Sequence, residues 1–183
     1  LKSIYKVIHK NILIPNTFDH ESYLFYSRIE NGDWNWLIVD KLLAFSGPHD
    51  MRRTCMPRKQ HYKGDTNNDK TLNTEGNKKE VGNEEAVTSK IMLSAHDYSD
   101  MLKQPGVTDI VRLNDPSTYD SSVFTQNGYL HHDLYFTDGS VPSSSLVSKF
   151  LAIMNASVGA VAVHCKAGLG RTGTVGCAYL MKK

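Results

Sequence analysis

GAVAVHCKAGLGRTGT, Gly159 to Thr174 of a 183-residue chain, decides the fold. Its first part, GAVAVHC, is a continuous apolar run. Such runs belong to parallel strands buried on both faces. Its second part holds glycines at 168, 170 and 173, which permit a tight turn, and Thr172 onward reads as a helix. A buried strand, a glycine-rich loop and a helix place Cys165 at the carboxyl end of a central strand. That is the end of an α/β sheet where ligands bind. Inward-facing backbone N–H groups and a helix N-terminus at such a loop attract an anion.

Upstream residues extend the same pattern. Ala95 to Leu102 forms a short helix candidate closed by Pro105-Gly106. TDIVRLN (Thr108 to Asn114) and YLHHDLYF (Tyr129 to Phe136) read as strands. In TDGSVPSSSLVSKFLAIMN, Ser140 is suited to cap a helix and Pro142 to its first turn. Leu146, Val147, Phe150, Leu151 and Met154 then make one apolar stripe, which reads as core. The fold class is α/β: a central sheet flanked by helices, with the right-handed crossover that strand–helix–strand units take.

The loop fits two phosphate-binding templates. Gly168-x-Gly170-x-x-Gly173 suits a dinucleotide enzyme, but that reading explains only the glycines and needs a later acidic residue. A P-loop nucleoside triphosphatase needs Gly-Lys-Ser/Thr, which the loop lacks. Cys165 followed by five residues and Arg171 suits a cysteine phosphatase, and it explains every chemical group present. The positive field that holds a phosphate also lowers a thiol's pKa, so Cys165 reads as the nucleophile. Arg171 offers a planar fork to phosphoryl oxygens. The backbone of Lys166, Ala167, Gly168, Leu169 and Gly170 forms the substrate cradle. The Thr172 hydroxyl is placed to stabilise the sulfur as a leaving group, and His164 to brace the loop through its carbonyls.

An alkoxide leaves poorly unless it is protonated, so a general acid is also expected. Asp133 lies inside a strand pattern and reads as a strand-end or buried-network residue. Asp138, in the turn-rich FTDGSVP, reads as the acid. His131 and His132 are adjacent on a strand and point to opposite faces, which argues against a shared metal.

Composition bounds the rest. The hydrophobic share of 40% supports a core, and a net charge of +2 gives no argument for nucleic acid or a membrane surface. No apolar run reaches the roughly 20 residues of a bilayer-spanning helix. Three cysteines at irregular spacing argue against a disulfide framework and fit a reducing compartment. The stretch RKQHYKGDTNNDKTLNTEGNKKEVGNEE lacks the apolar residues needed to offset its ordering entropy. Residues 51–93 are therefore expected to be a flexible linker or insertion. The first residues do not form a signal peptide. The chain reads as a fragment at both ends. Asn155-Ala156-Ser157 matches a glycosylation sequon, which carries no meaning without secretion.

HCKAGLGRTGT resembles the signature loop of the cell-division-cycle-fourteen dual-specificity phosphatases. So do ENGDWNW (Glu30 to Trp36), LLAFSGPH (Leu42 to His49), GVTDIVRLN (Gly106 to Asn114) and HHDLYFTDGSVPS (His131 to Ser143). The resemblance covers residues 18–50 and 94–183. It implies two tandem phosphatase-like domains, only the second of them catalytic. Residues 1–50 would be the tail of the first domain, and 94–183 the second domain without its C-terminal part. It implies hydrolysis of phosphoserine-proline sites with a downstream basic residue, and of phosphotyrosine, through a phosphocysteine and without metal or cofactor. It further implies a role in mitotic exit and cytokinesis, and a location in nucleus and cytoplasm, including centrosome and spindle. A glutamine-bearing loop that positions water in the family is absent from this sequence. The rival readings are a phosphoinositide phosphatase, which typically carries an extra loop lysine where this chain has Leu169, and a phosphate-binding pseudophosphatase scaffold.

Overall fold

The computed structural model describes residues 18–49 and 92–182; the expected linker at 51–93 lies almost wholly outside them. Five strands form one sheet in the order β1-β2-β5-β3-β4. They are β1 (Trp34–Ile38), β2 (Leu42–Phe45), β3 (Val107–Arg112), β4 (Leu130–Asp133) and β5 (Ala160–His164). β1 pairs antiparallel with β2, and β2, β5, β3 and β4 run parallel. β5 is central and all five of its residues are buried, as its unbroken apolar run requires.

Alternation along β5 builds the two faces. Ala160 and Ala162 face α2 (Ala95–Met101) and α3 (Ser122–Gln126), packing with Phe45, Tyr98, Ile110 and Phe124. Val161, Val163 and Cys165 face the other way, against Phe150 and Met154 of α4 (Ser144–Ala156) and Val175 and Tyr179 of α5 (Gly170–Lys182). Helix α1 (His20–Tyr26) precedes β1 and is capped by Asp19, whose carboxylate accepts from Ser22 N. None of the described helices is long and apolar enough to cross a membrane.

Three expectations are corrected. β2 and β1 are hydrogen-bonded into the sheet that carries Cys165, through Leu42↔Val161 to Phe45↔His164. Trp34 to Phe45 is therefore part of the catalytic sheet and not the tail of a separate domain. The parallel pairing with β5 joins residues more than a hundred positions apart, which no local pattern reveals. Helix α4 is capped by Ser143, which accepts from Leu146 N, while Ser140 Oγ donates to Thr137 O at 2.6 Å. Pro142 accordingly precedes the cap instead of lying in the first turn. The strand expected at Tyr129–Phe136 is reduced to Leu130–Asp133. Leu134 N and Phe136 N still reach the carbonyl groups of Arg112, the last residue of β3, and of Leu113 just after it, but ladder geometry ends at Asp133.

Two histidines, the buried His164 and the half-buried His131, couple the fold to pH. Burial pushes His164 down to about 3, against the opposing hydrogen bond to the Cys165 carbonyl. Burial and then the Arg112 charge push His131 down to about 4. Below pH 6.5 the unfolded chain binds protons that these histidines refuse in the folded state, so stability falls with falling pH. Denaturant unfolding between pH 7 and 4 is expected to show a loss approaching about 1.4 kcal/mol per pH unit from His164, with a smaller addition from the half-buried His131, whose shift solvent screens. A flat profile over that range would contradict the buried neutral assignment.

Candidate active site

The parallel register brings four strand ends level. Phe45 stands beside His164, His164 beside Arg112, and Arg112 beside Asp133. The loops that follow these four residues therefore open at one edge of the sheet. Together they line a cavity of about 660 Å³. Gly47, Pro48 and His49 come from the loop after β2, and Asn114 and Thr118 from that after β3. Tyr135, Thr137 and Asp138 come from that after β4, and Lys166 and Arg171 from the loop and helix after β5.

Cys165 lies at the base of this edge and is 4% exposed. Burial alone would raise its thiol pKa. The Thr172 hydroxyl and the backbone N–H groups of Thr172, Leu169 and Ala167 outweigh burial, and the net effect is a lowered pKa. Thr172 Oγ1 is itself buried, close enough to act on the sulfur while completing no hydrogen bond of full geometry. Gly168 makes the wrap possible. Its φ is +69°, and an added Cβ would stand 2.3 Å from Phe45 O. Gly47 fits as closely on the other side: a Cβ there would stand 2.2 Å from Cys165 O, and its N–H donates to Lys166 O. Lys166 and Leu169 are both exposed, Leu169 at 75% and Lys166 on the cavity rim. Gly170 opens α5.

Arg171 is buried, and its Nη1 donates to Leu113 O at 3.3 Å and Phe136 O at 3.2 Å. These carbonyl groups hold the guanidinium across the ends of β3 and β4. Its Nε lies 3.4 Å from Asp138 Oδ1 and lacks a full hydrogen bond among the described residues. Asn114 Oδ1, on the cavity wall, is another buried polar atom without a partner there. Buried polar atoms left open call for a ligand or water, and a phosphoryl oxygen suits the Arg171 donor.

The structure separates the two aspartates. Asp133 receives Arg112 Nε at 2.6 Å and Nη2 at 3.0 Å, the paired network expected of it. Asp138 is largely exposed, on the cavity wall beside Arg171. His131 and His132 do diverge: His131 Nε2 meets the Tyr119 hydroxyl and His132 Nε2 meets Asp109. His164 Nδ1 donates to Cys165 O at 2.9 Å, bracing the loop, and its Nε2 meets the Tyr119 hydroxyl at 2.8 Å. Sequence reading missed Tyr119, Phe45 and the carbonyl groups of Leu113 and Phe136. They act on the site through contacts that carry no local motif. Gly47 was visible within LLAFSGPH but was assigned to another domain.

A family model described as "Polymorphic toxin system, DSP-PTPase phosphatase" matches residues 82–183, more than half of the chain. The chain belongs to this family of phosphatases. It is also similar to named CDC14 enzymes. It is 37% identical to the dual specificity protein phosphatase CDC14C of Homo sapiens, over 98% of this chain and 33% of the relative. It is 38% identical to the tyrosine-protein phosphatase cdc-14 of Caenorhabditis elegans, over 100% of this chain and 21% of the relative. It is 41% identical to the dual specificity protein phosphatase CDC14AB of Danio rerio, over 100% and 24% respectively. The resemblance expected from the motifs is thus met, and the chain spans a third or less of the length of these relatives.

Proposed function

We propose that the chain carries the catalytic centre of a cysteine-dependent dual-specificity protein phosphatase. The observation that supports this most strongly is the convergence of the Thr172 hydroxyl and three backbone N–H groups on a buried thiol, which lowers its pKa. The Cys165 thiolate attacks phosphorus in line with the leaving oxygen, forming an S–P bond as the P–O bond breaks. Arg171 holds equatorial phosphoryl oxygens as charge spreads over them. Asp138 donates its proton to the departing alkoxide or phenoxide. The resulting carboxylate then takes a proton from water, which attacks the phosphocysteine and releases phosphate and thiolate. Thr172 steadies that thiolate.

The substrates in this reading are phosphorylated proteins, with a preference for phosphoserine-proline followed by a basic residue. That preference, the mitotic-exit and cytokinetic role and the nuclear and cytoplasmic location are inferred from family resemblance. The loop itself supports a phosphopeptide over a phosphoinositide, because Lys166 is its single basic side chain before Arg171 and Leu169 is exposed beside it.

Hydrolysis of a phosphoserine-proline peptide with a downstream lysine, in EDTA and beside a phosphoinositide, tests the reading. Turnover of the peptide that is abolished in Cys165→Ser is the expected result. Preferential turnover of the lipid, or peptide turnover that survives in Cys165→Ser, would refute it.

A further inference from the structure

Asn114, in the loop after β3, is 7% exposed and lies on the wall of the catalytic cavity with Asp115 and Thr118. Its Nδ2 donates to Thr118 Oγ1 at 3.2 Å, and the Thr118 hydroxyl gives its own proton to Asp115 O at 2.8 Å. Thr118 Oγ1 therefore has no proton left to offer Asn114. That fixes which way the amide faces: Nδ2 lies toward Thr118, and Oδ1 is the end left over. Oδ1 is buried and has no hydrogen-bond partner among the described residues. An amide oxygen only accepts, so the group that completes it must be a donor.

Position and chemistry narrow that donor. Arg171 Nη1 donates to the carbonyl group of Leu113, the residue before Asn114, and Arg171 Nε lies 3.4 Å from Asp138 Oδ1. Asn114 and Asp138 thus flank one guanidinium on the wall of one cavity. A dianionic phosphoryl group seated on Arg171 brings acceptors only, which suit the guanidinium and leave Asn114 Oδ1 open. The first step sends the Asp138 proton away with the leaving group. Water enters next, and it carries two protons. As its oxygen attacks phosphorus, an O–P bond forms, the S–P bond breaks and Cys165 departs as thiolate. Asp138 takes one proton, and the other stays on the oxygen that becomes part of the released phosphate. A water held by both of its protons has its lone pair aimed, whereas one held by a single proton swings about that bond.

We propose that Asn114 is a catalytic residue of the second step: its Oδ1 accepts from the attacking water and, with Asp138, aims that water at the phosphocysteine. The assignment rests on the phosphatase reading and adds a residue to it. Kinetics of the full chain with p-nitrophenyl phosphate separate the two steps. Its phenolate leaves readily, so kcat/KM reports S–P bond formation and kcat reports the hydrolysis that follows.

Asn114→Leu keeps the shape of the side chain and removes the acceptor. Its kcat is expected to fall about 10- to 100-fold, as for the loss of one hydrogen bond to the reacting group. KM is expected to fall in parallel, leaving kcat/KM unchanged. Phosphocysteine, trapped in alkaline denaturant and read by mass spectrometry of the Cys165 peptide, is expected to accumulate. Thr118→Val leaves Asn114 in place and removes the hydroxyl that orients its amide. A smaller accumulation of the same kind is expected there, which decides the matter even if Asn114→Leu folds poorly. Variants that lose kcat/KM and kcat together, with no build-up of phosphocysteine, would overturn the proposal. So would a raised KM for a phosphopeptide at unchanged kcat, which would place the missing donor in the substrate. A parent chain that forms no phosphocysteine at all would refute the phosphatase reading itself, and the role of Asn114 with it.

Discussion

Arg171→Lys is expected to lower kcat/KM for a phosphopeptide by about 10³-fold, or about 4 kcal/mol of transition-state stabilisation. The buried guanidinium is fixed by two carbonyl oxygens from different loops, Leu113 O and Phe136 O. Those bonds orient its plane across the cavity and leave Nε open. A lysine ammonium keeps the charge but not the planar fork, and it cannot hold both carbonyl groups and two phosphoryl oxygens at once. Steady-state kinetics of the folded variant measure this. Wild-type efficiency in Arg171→Lys would show that net charge alone suffices and that the bidentate grip is not used.

Asp138→Asn is expected to lower kcat toward a phosphoserine peptide by about 10²- to 10³-fold, within the usual range for loss of a general acid. KM is expected to stay level or fall. In the resting site the Asp138 carboxylate lies 3.4 Å from Arg171 Nε, where it competes with a phosphoryl group for the same donor. An uncharged amide competes less. The loss should shrink for an aryl phosphate with a stable phenolate leaving group, which needs less protonation. It should be largest for the serine ester. Asp133→Asn provides the contrast. It weakens the Arg112 pair and is expected to reduce stability without that dependence on the leaving group. If the dependence followed Asp133 instead, the assignment of the acid would be reversed. Paired kinetics on the two substrates for both variants distinguish these outcomes.

The core of the site was legible because its information is contiguous. The apolar run Ala160–His164 specifies a strand buried on both faces. The glycines that follow specify a tight turn, and a helix opening at Gly170 aims its first N–H groups back at the strand end. Cys165, the loop and Arg171 lie within seven residues, so local backbone geometry alone brings thiol, amides and guanidinium together. Strand and turn context already set Asp138 apart from Asp133, and the structure gives each its surroundings. Asp133 is paired across the sheet with Arg112, and Asp138 stands on the cavity wall. The cap of α4 was misplaced by three residues because Ser140 and Ser143 are equivalent to local chemistry. Only the turn at Thr137, whose carbonyl accepts from Ser140 Oγ, distinguishes them.

What the tertiary structure alone decided are the contacts made across the chain. β2 lies beside β5 by hydrogen bonds between residues about 120 positions apart, which moved Trp34 to Phe45 into the catalytic sheet and set Gly47 against the loop carbonyl groups. Tyr119 reaches His164 across 45 positions, and Arg171 finds Leu113 O across 58. A hydrogen bond between distant residues leaves no periodicity, composition or spacing in the sequence. It exists only once the parallel register has brought the four strand ends level. The sequence by itself determined the reactive loop, because a strand, a turn and a helix N-terminus are set by neighbouring residues. The tertiary structure determined the walls and the braces, because those are set by which strands pair.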